Sequence, residues 1–99
     1  MNANMTLGTP KAAGSLTVAY TGTAGTTSAI PADCTCVRVI STTDCFIEIT
    51  VAGTAAVANT GLYLAGGLPE YFACLGGSKV SAIQVSSGGT IYCKPINKQ

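Results

Sequence analysis

The run Cys36-Val37-Arg38-Val39-Ile40, the polar link Ser41-Thr42-Thr43-Asp44 and the run Cys45-Phe46-Ile47-Glu48-Ile49-Thr50-Val51 decide the fold class. Val37 and Val39 fall on one face of the first run. In the second, Cys45, Ile47, Ile49 and Val51 share a face from which Glu48 points away, the period of two expected of a half-buried strand. Two such runs joined by a short polar link read as a β-hairpin. The pattern continues on both sides. Leu16, Val18 and Tyr20 alternate, Gly22-Thr23-Ala24-Gly25 reads as a turn before a Thr-rich strand ending near Ile30, and Pro31-Ala32-Asp33 turns the chain. After a small-residue loop over 52–59 come two short strands, Gly61-Leu62-Tyr63-Leu64 and Tyr71-Phe72-Ala73-Cys74-Leu75. Gly76-Gly77-Ser78 then leads into a strand over 79–85, and Ser86-Ser87-Gly88-Gly89 is expected to close a last hairpin with Thr90-Ile91-Tyr92-Cys93-Lys94.

No stretch keeps the helical period for three turns. The expectation is an all-β chain: an antiparallel β-sandwich or jelly-roll-like barrel of seven to eight short strands, forming a single domain over 15–99. Residues 1–14 are small and polar, with Gly8, Pro10 and Gly14, and read as an extended N-terminal arm. Met5, Leu7 and Pro10 are its expected contacts with a neighbouring chain.

A chain of 99 residues supports one core. Only 9% of its residues are charged, five basic and four acidic, against roughly 25% in ordinary soluble domains. Copies with so little charge repel each other weakly, which points to a chain that is buried among partners. The basic residues are scattered rather than striped, so no nucleic-acid partner is expected. No apolar run is long enough to span a membrane, and the first residues lack the pattern of a secretory signal. No membrane partner is expected, and synthesis in the cytoplasm is. There the five cysteines, an odd number, are expected to stay as thiols.

Enzymatic chemistry finds little support. The chain has no His, the usual general base and the commonest metal ligand. Asp44 and Glu48 are the only close pair of carboxylates, yet at i and i+4 on a strand they stand about 13 Å apart, too far for a glycosidase pair. Cys34, Cys36, Cys45, Cys74 and Cys93 lack the two-residue spacing of zinc knuckles and read as small buried hydrophobes. The pairs Gly66-Gly67, Gly76-Gly77 and Gly88-Gly89 each lead toward a strand, so they read as tight turns and not phosphate loops. Tyr63, Tyr71, Phe72 and Tyr92 are expected to divide between core and subunit interface. No catalytic, cofactor or metal residue and no small-molecule substrate is assigned.

The succession Val37-Arg38-Val39, Thr43-Asp44-Cys45-Phe46-Ile47, Gly67-Leu68-Pro69-Glu70-Tyr71-Phe72, Lys79-Val80-Ser81-Ala82-Ile83-Gln84 and Gly88-Gly89-Thr90-Ile91-Tyr92 resembles small structural proteins of tailed bacteriophages and prophages. The resemblance implies a virion component, made in the bacterial host cytoplasm. The first expectation is a capsid decoration (cement) protein that binds the major capsid protein and its own copies as a trimer or dimer. The alternatives are a head-tail connector or tail subunit, or a host-surface or carbohydrate-binding module of a fibre, for which Asn59, Tyr63 and Glu70 are polar-aromatic candidates. The abundance of cysteine departs from the pattern and leaves open a local metal or inter-subunit role.

Overall fold

The computed structural model describes residues 9–10 and 16–97, with side chains over 16–96. The expected fold class holds. Among the described residues there are nine strands and no helix: β1 (Thr9–Pro10), β2 (Leu16–Tyr20), β3 (Gly25–Thr26), β4 (Cys34–Ser41), β5 (Cys45–Thr50), β6 (Leu62–Leu64), β7 (Glu70–Ala73), β8 (Lys79–Gln84) and β9 (Gly89–Asn97). They form two antiparallel sheets. Sheet A runs β2-β9-β4-β7, with β1 also beside β9, and sheet B runs β3-β8-β5-β6.

One rule generates this order. The antiparallel partners β2 with β9, β3 with β8, β4 with β7 and β5 with β6 nest inside one another, or lie opposite one another, like the two halves of a single folded ribbon. All four pairs are hydrogen-bonded. The ribbon then wraps, so that β9 also pairs with β4 and β8 with β5. That is the strand order of a jelly roll, two Greek keys in two packed sheets.

The wrap overturns the expected central hairpin. β4 and β5 belong to opposite sheets, so the link at Thr42-Thr43-Asp44 is a crossing between layers. Alternation cannot separate the two cases. Val37 and Val39 on β4 and Cys45 and Ile47 on β5 are all essentially inaccessible, which either arrangement permits. What decides is Tyr20, the last residue of β2. Its buried hydroxyl donates to the Thr43 carbonyl at 2.8 Å and accepts from the Thr43 amide at 3.3 Å. The last hairpin fails likewise, because β8 lies in sheet B and β9 in sheet A. The turn at 22–25 is another crossing, and regular strand beyond it is limited to Gly25–Thr26. The chain nevertheless follows β8 as far as Ile30, through Thr27 N to Val80 O (2.9 Å) and Ile30 N to Ser78 O (2.7 Å).

The core is thin and built from small side chains, with Tyr20 as its largest fully buried member. Val37, Val39, Ile91 and Cys93 from sheet A meet Cys45, Ile47, Leu64, Val80 and Ala82 from sheet B. The glycine pairs at 66–67 and 76–77 are turns, and Gly67 (φ 80°) and Gly77 (φ 88°) occupy the left-handed region where a side chain is strained. Pro95 sits inside β9. Its interval, Lys94-Pro95, falls between the positions registered with β2 and with β1, a place where a strand tolerates a residue without an amide hydrogen.

Two substitutions test the crossing. Tyr20→Phe strips hydrogen bonds from the Thr43 backbone and is expected to lower stability by about 1–3 kcal/mol in urea titration. Ser41 Oγ, buried just before the crossing, has no oxygen or nitrogen hydrogen-bond partner and meets only the weakly accepting Cys45 thiol. Ser41→Ala is therefore expected to leave stability unchanged or raise it by about 1 kcal/mol in the same assay.

Candidate interaction surface

Alternation along a strand fixes what each sheet shows to the outside. On sheet A, inward Val37, Val39, Ile91 and Cys93 force Arg38, Ile40, Tyr92 and Lys94 outward. The register then groups them: Arg38 lies between Lys94 on β9 and Tyr71 on β7, and Ile40 is opposite Tyr92, which is in turn opposite Thr17 on β2. Tyr71 and Tyr92 are each 49% exposed. Between β2, β9 and β4 lies an open depression of about 220 Å³, lined by Leu16, Thr17, Arg38, Tyr92, Cys93 and Lys94.

Sheet B is organised differently. Ser81 is on its outward register, opposite Glu48, yet is inaccessible because the loop after β5 folds back over it. Within that loop the Thr50 hydroxyl accepts from the Gly53 and Thr54 amides, and the Ala56 amide donates to Ser81 Oγ at 2.9 Å. Beyond the loop, Phe46 packs edge-on against Tyr63, ring centroids 5.6 Å apart. The Tyr63 hydroxyl donates to Asp44 Oδ2 (2.6 Å), and the Gly66 amide donates to Asp44 Oδ1 (2.8 Å). The Gly66 amide, then Tyr63, hold the Asp44 carboxyl below its usual range, and the same contact raises the Tyr63 hydroxyl. Asp44 thus fastens the crossing to the β6–β7 turn, a structural use for the acid.

Phe72 packs against the core from β7, while Tyr63, Tyr71 and Tyr92 remain half-exposed on strand faces. Tyr63 and Tyr71 lie in different sheets. Asn59, in the loop before β6, is exposed with φ 64°, and Glu70 is exposed at the start of β7. In the arm, Met5 and Leu7 lie outside the described residues. The backbone at Pro10 is registered with Ile96 of its own chain, an intrachain pairing that composition gave no means to foresee.

The cysteines fall into two neighbourhoods. Cys45 and Cys93 are buried in the core, one from each sheet, while Cys34 is buried near half-buried Cys36 and Cys74, where the Cys74 amide bonds the Thr35 carbonyl at 3.0 Å. Among the described residues no group of three or more Cys, Asp, Glu or His is arranged to hold a metal ion. Burial pushes the Cys93 thiol up to about 12, with Cys45 adding to the effect. Burial also raises Cys45, opposed by the neighbouring Ser41 and Tyr20 hydroxyls, and Cys74. None of these three is activated as a nucleophile.

A scan against protein-family models gives no match, and searches of curated proteins and of solved structures give none either. Functional assignment therefore rests on the fold and the chain's own residues. No helix among the described residues is long and apolar enough to cross a membrane.

The thiols give a direct check on this packing. A water-soluble thiol reagent is expected to label Cys36 and Cys74 in the native protein and to reach Cys34, Cys45 and Cys93 only after denaturation. Because Cys93 ionises near 9 when unfolded and about 12 when folded, its contribution is complete below pH 9 and is lost as pH rises toward 12. Denaturant titrations across that window should show falling stability, with a shallower fall in Cys93→Ala.

Proposed function

We propose that the chain is a repeated structural subunit of a bacteriophage particle, and specifically a capsid decoration (cement) protein that binds the shell as an oligomer. The observation that carries this reading is the surface. A jelly-roll body with 9% charged residues leaves Tyr63, Tyr71 and Tyr92 half-exposed, together with Leu62 (50%), Leu68 (59%) and Leu75 (71%). Exposed apolar side chains on a weakly charged body favour a molecule that works while covered by neighbours. Jelly rolls serve as capsid parts and as lectins, so the fold is compatible with the role without specifying it.

Under this reading the mechanism is cohesion. Each copy buries apolar and backbone-polar surface against the shell and its neighbours, and many copies together resist expansion through multivalency. No bond is made or broken.

Electron microscopy of the intact particle is the test. Many copies distributed over the shell are expected. A single ring at one vertex would replace the reading with a connector or tail subunit, and glycan binding by a protein absent from the shell would replace it with a fibre module. Removal of residues 1–14 is expected to leave a folded body that no longer co-sediments with shells, and retention of full binding would remove the arm from the mechanism.

A further inference from the structure

We propose that Cys36 and Cys74 form an oxidation site, at which hydrogen peroxide closes a disulfide that fastens the edge strand β7 to β4. The inference stands apart from the preceding reading, which supplies only a setting: a particle that leaves a reducing cytoplasm for an oxidising medium.

The register is the first argument. β7 is the edge of sheet A and is held in the ladder by β4. At its end Ala73 is registered with Cys36, and one residue further the Cys74 amide donates to the Thr35 carbonyl at 3.0 Å. Cys36 and Cys74 are therefore one step apart on paired strands. Opposite Cα atoms lie about 4.5–5.5 Å apart and a step adds about 3.3 Å along the strand, which sets these two at about 6 Å, inside the window of about 4.4–6.8 Å for disulfides. In a regular ladder such a step turns the side chains to opposite faces. The ladder is irregular here, because β4 carries a register shift against β9 between Cys34 and Cys36, the kind of bulge that re-aims a side chain.

Exposure and charge select the same pair. Cys36 and Cys74 are both half-buried, whereas Cys34 is fully buried. Burial raises the Cys74 thiol, and of its two cysteine neighbours Cys36 adds more to the effect than Cys34 does. Among the described residues these thiols are not part of a group arranged to hold a metal ion.

The chemistry balances with one peroxide. The Cys36 thiolate attacks a peroxide oxygen, the O–O bond breaks, and Cys36 sulfenic acid and one water result. The Cys74 thiolate then attacks the sulfenic sulfur; the S–S bond forms, the S–O bond breaks and a second water leaves. Two thiols lose two electrons and the peroxide gains them. Because Cys74 must first give up a proton that burial helps to retain, the second step is slow at neutral pH and speeds up as pH rises.

The native full-length protein, first reduced and then treated with hydrogen peroxide, tests this by thiol labelling and peptide mass spectrometry. After treatment Cys36 and Cys74 are expected to resist labelling together, to appear in one joined peptide lacking two hydrogens, and to be labelled again once a dithiol reductant is added. The urea midpoint of the oxidised protein is expected to rise and to fall back on reduction. The C36S protein, first checked for native signal dispersion, is expected to give no joined peptide. Continued labelling of both thiols, a bond from Cys74 to Cys34, or a bond between two chains overturns the inference, and an unchanged urea midpoint overturns the fastening of β7. Shell binding enters none of these readouts, so the decoration reading stands or falls separately by microscopy.

Discussion

The fold depends on one hydroxyl at the seam between its layers. Tyr20 ends β2, is registered with Gly89 at the start of β9, and grips Thr43 at the crossing from β4 to β5. It therefore ties the first, last and middle parts of the ribbon at one point. The closeness is strict: a Cβ on Gly89 would lie 2.5 Å from Thr43 Oγ1, 2.6 Å from Thr42 Oγ1 and 2.8 Å from Tyr20 Oη. Around it, the Thr42 amide bonds the Thr90 carbonyl at 3.0 Å, the Thr42 hydroxyl accepts from the Thr90 amide at 3.0 Å, and the Thr43 hydroxyl reaches Ser87 O at 3.1 Å. Side chains here do the work that ladder hydrogen bonds do within a strand, so the chain changes sheets without stranding the Thr43 backbone in the interior.

A seam of this kind suits a thin core. With no Trp in the chain and with Val, Ile, Ala and Cys making up most of the interior beside Tyr20 and Leu64, little slack is available to absorb an error in register. Cysteine fits the same demand. Cys45 and Cys93 supply apolar volume slightly larger than Ala from opposite sheets, and their burial suppresses the ionisation that would make them reactive.

Much of the architecture is legible in the sequence because a period of two survives any topology. The strand positions around Leu16, Val37, Ile47, Leu62 and Val80, the loop after β5, and the turns at Gly66-Gly67 and Gly76-Gly77 follow from alternation and glycine. The central and last hairpins fail because alternation reports which side of a strand is buried, not which sheet contains it. The crossing is encoded in Tyr20 and Gly89, residues 20 or more positions away from the link at 42–44. The grouping of residues on the outer face of sheet A is hidden in the sequence for a related reason. Arg38 and Lys94 look scattered along the chain and become neighbours only through the β4–β9 register.

That register also explains why the sheet A face is unlike an ordinary solvated one. Once Val37 and Val39 are buried, Arg38 and Ile40 have to point outward; once Ile91 and Cys93 are buried, Tyr92 and Lys94 follow. Pairing β4 with β9 then sets Arg38 against Lys94 and Ile40 against Tyr92 in adjacent rows. A slip of one residue would relieve the charge pair but would turn the valines to the outside, a far larger loss at about 1.5–3 kcal/mol for each buried side chain. Core packing thus holds two cations side by side on an amphipathic face, and the burial of the valines and not the charges sets the register.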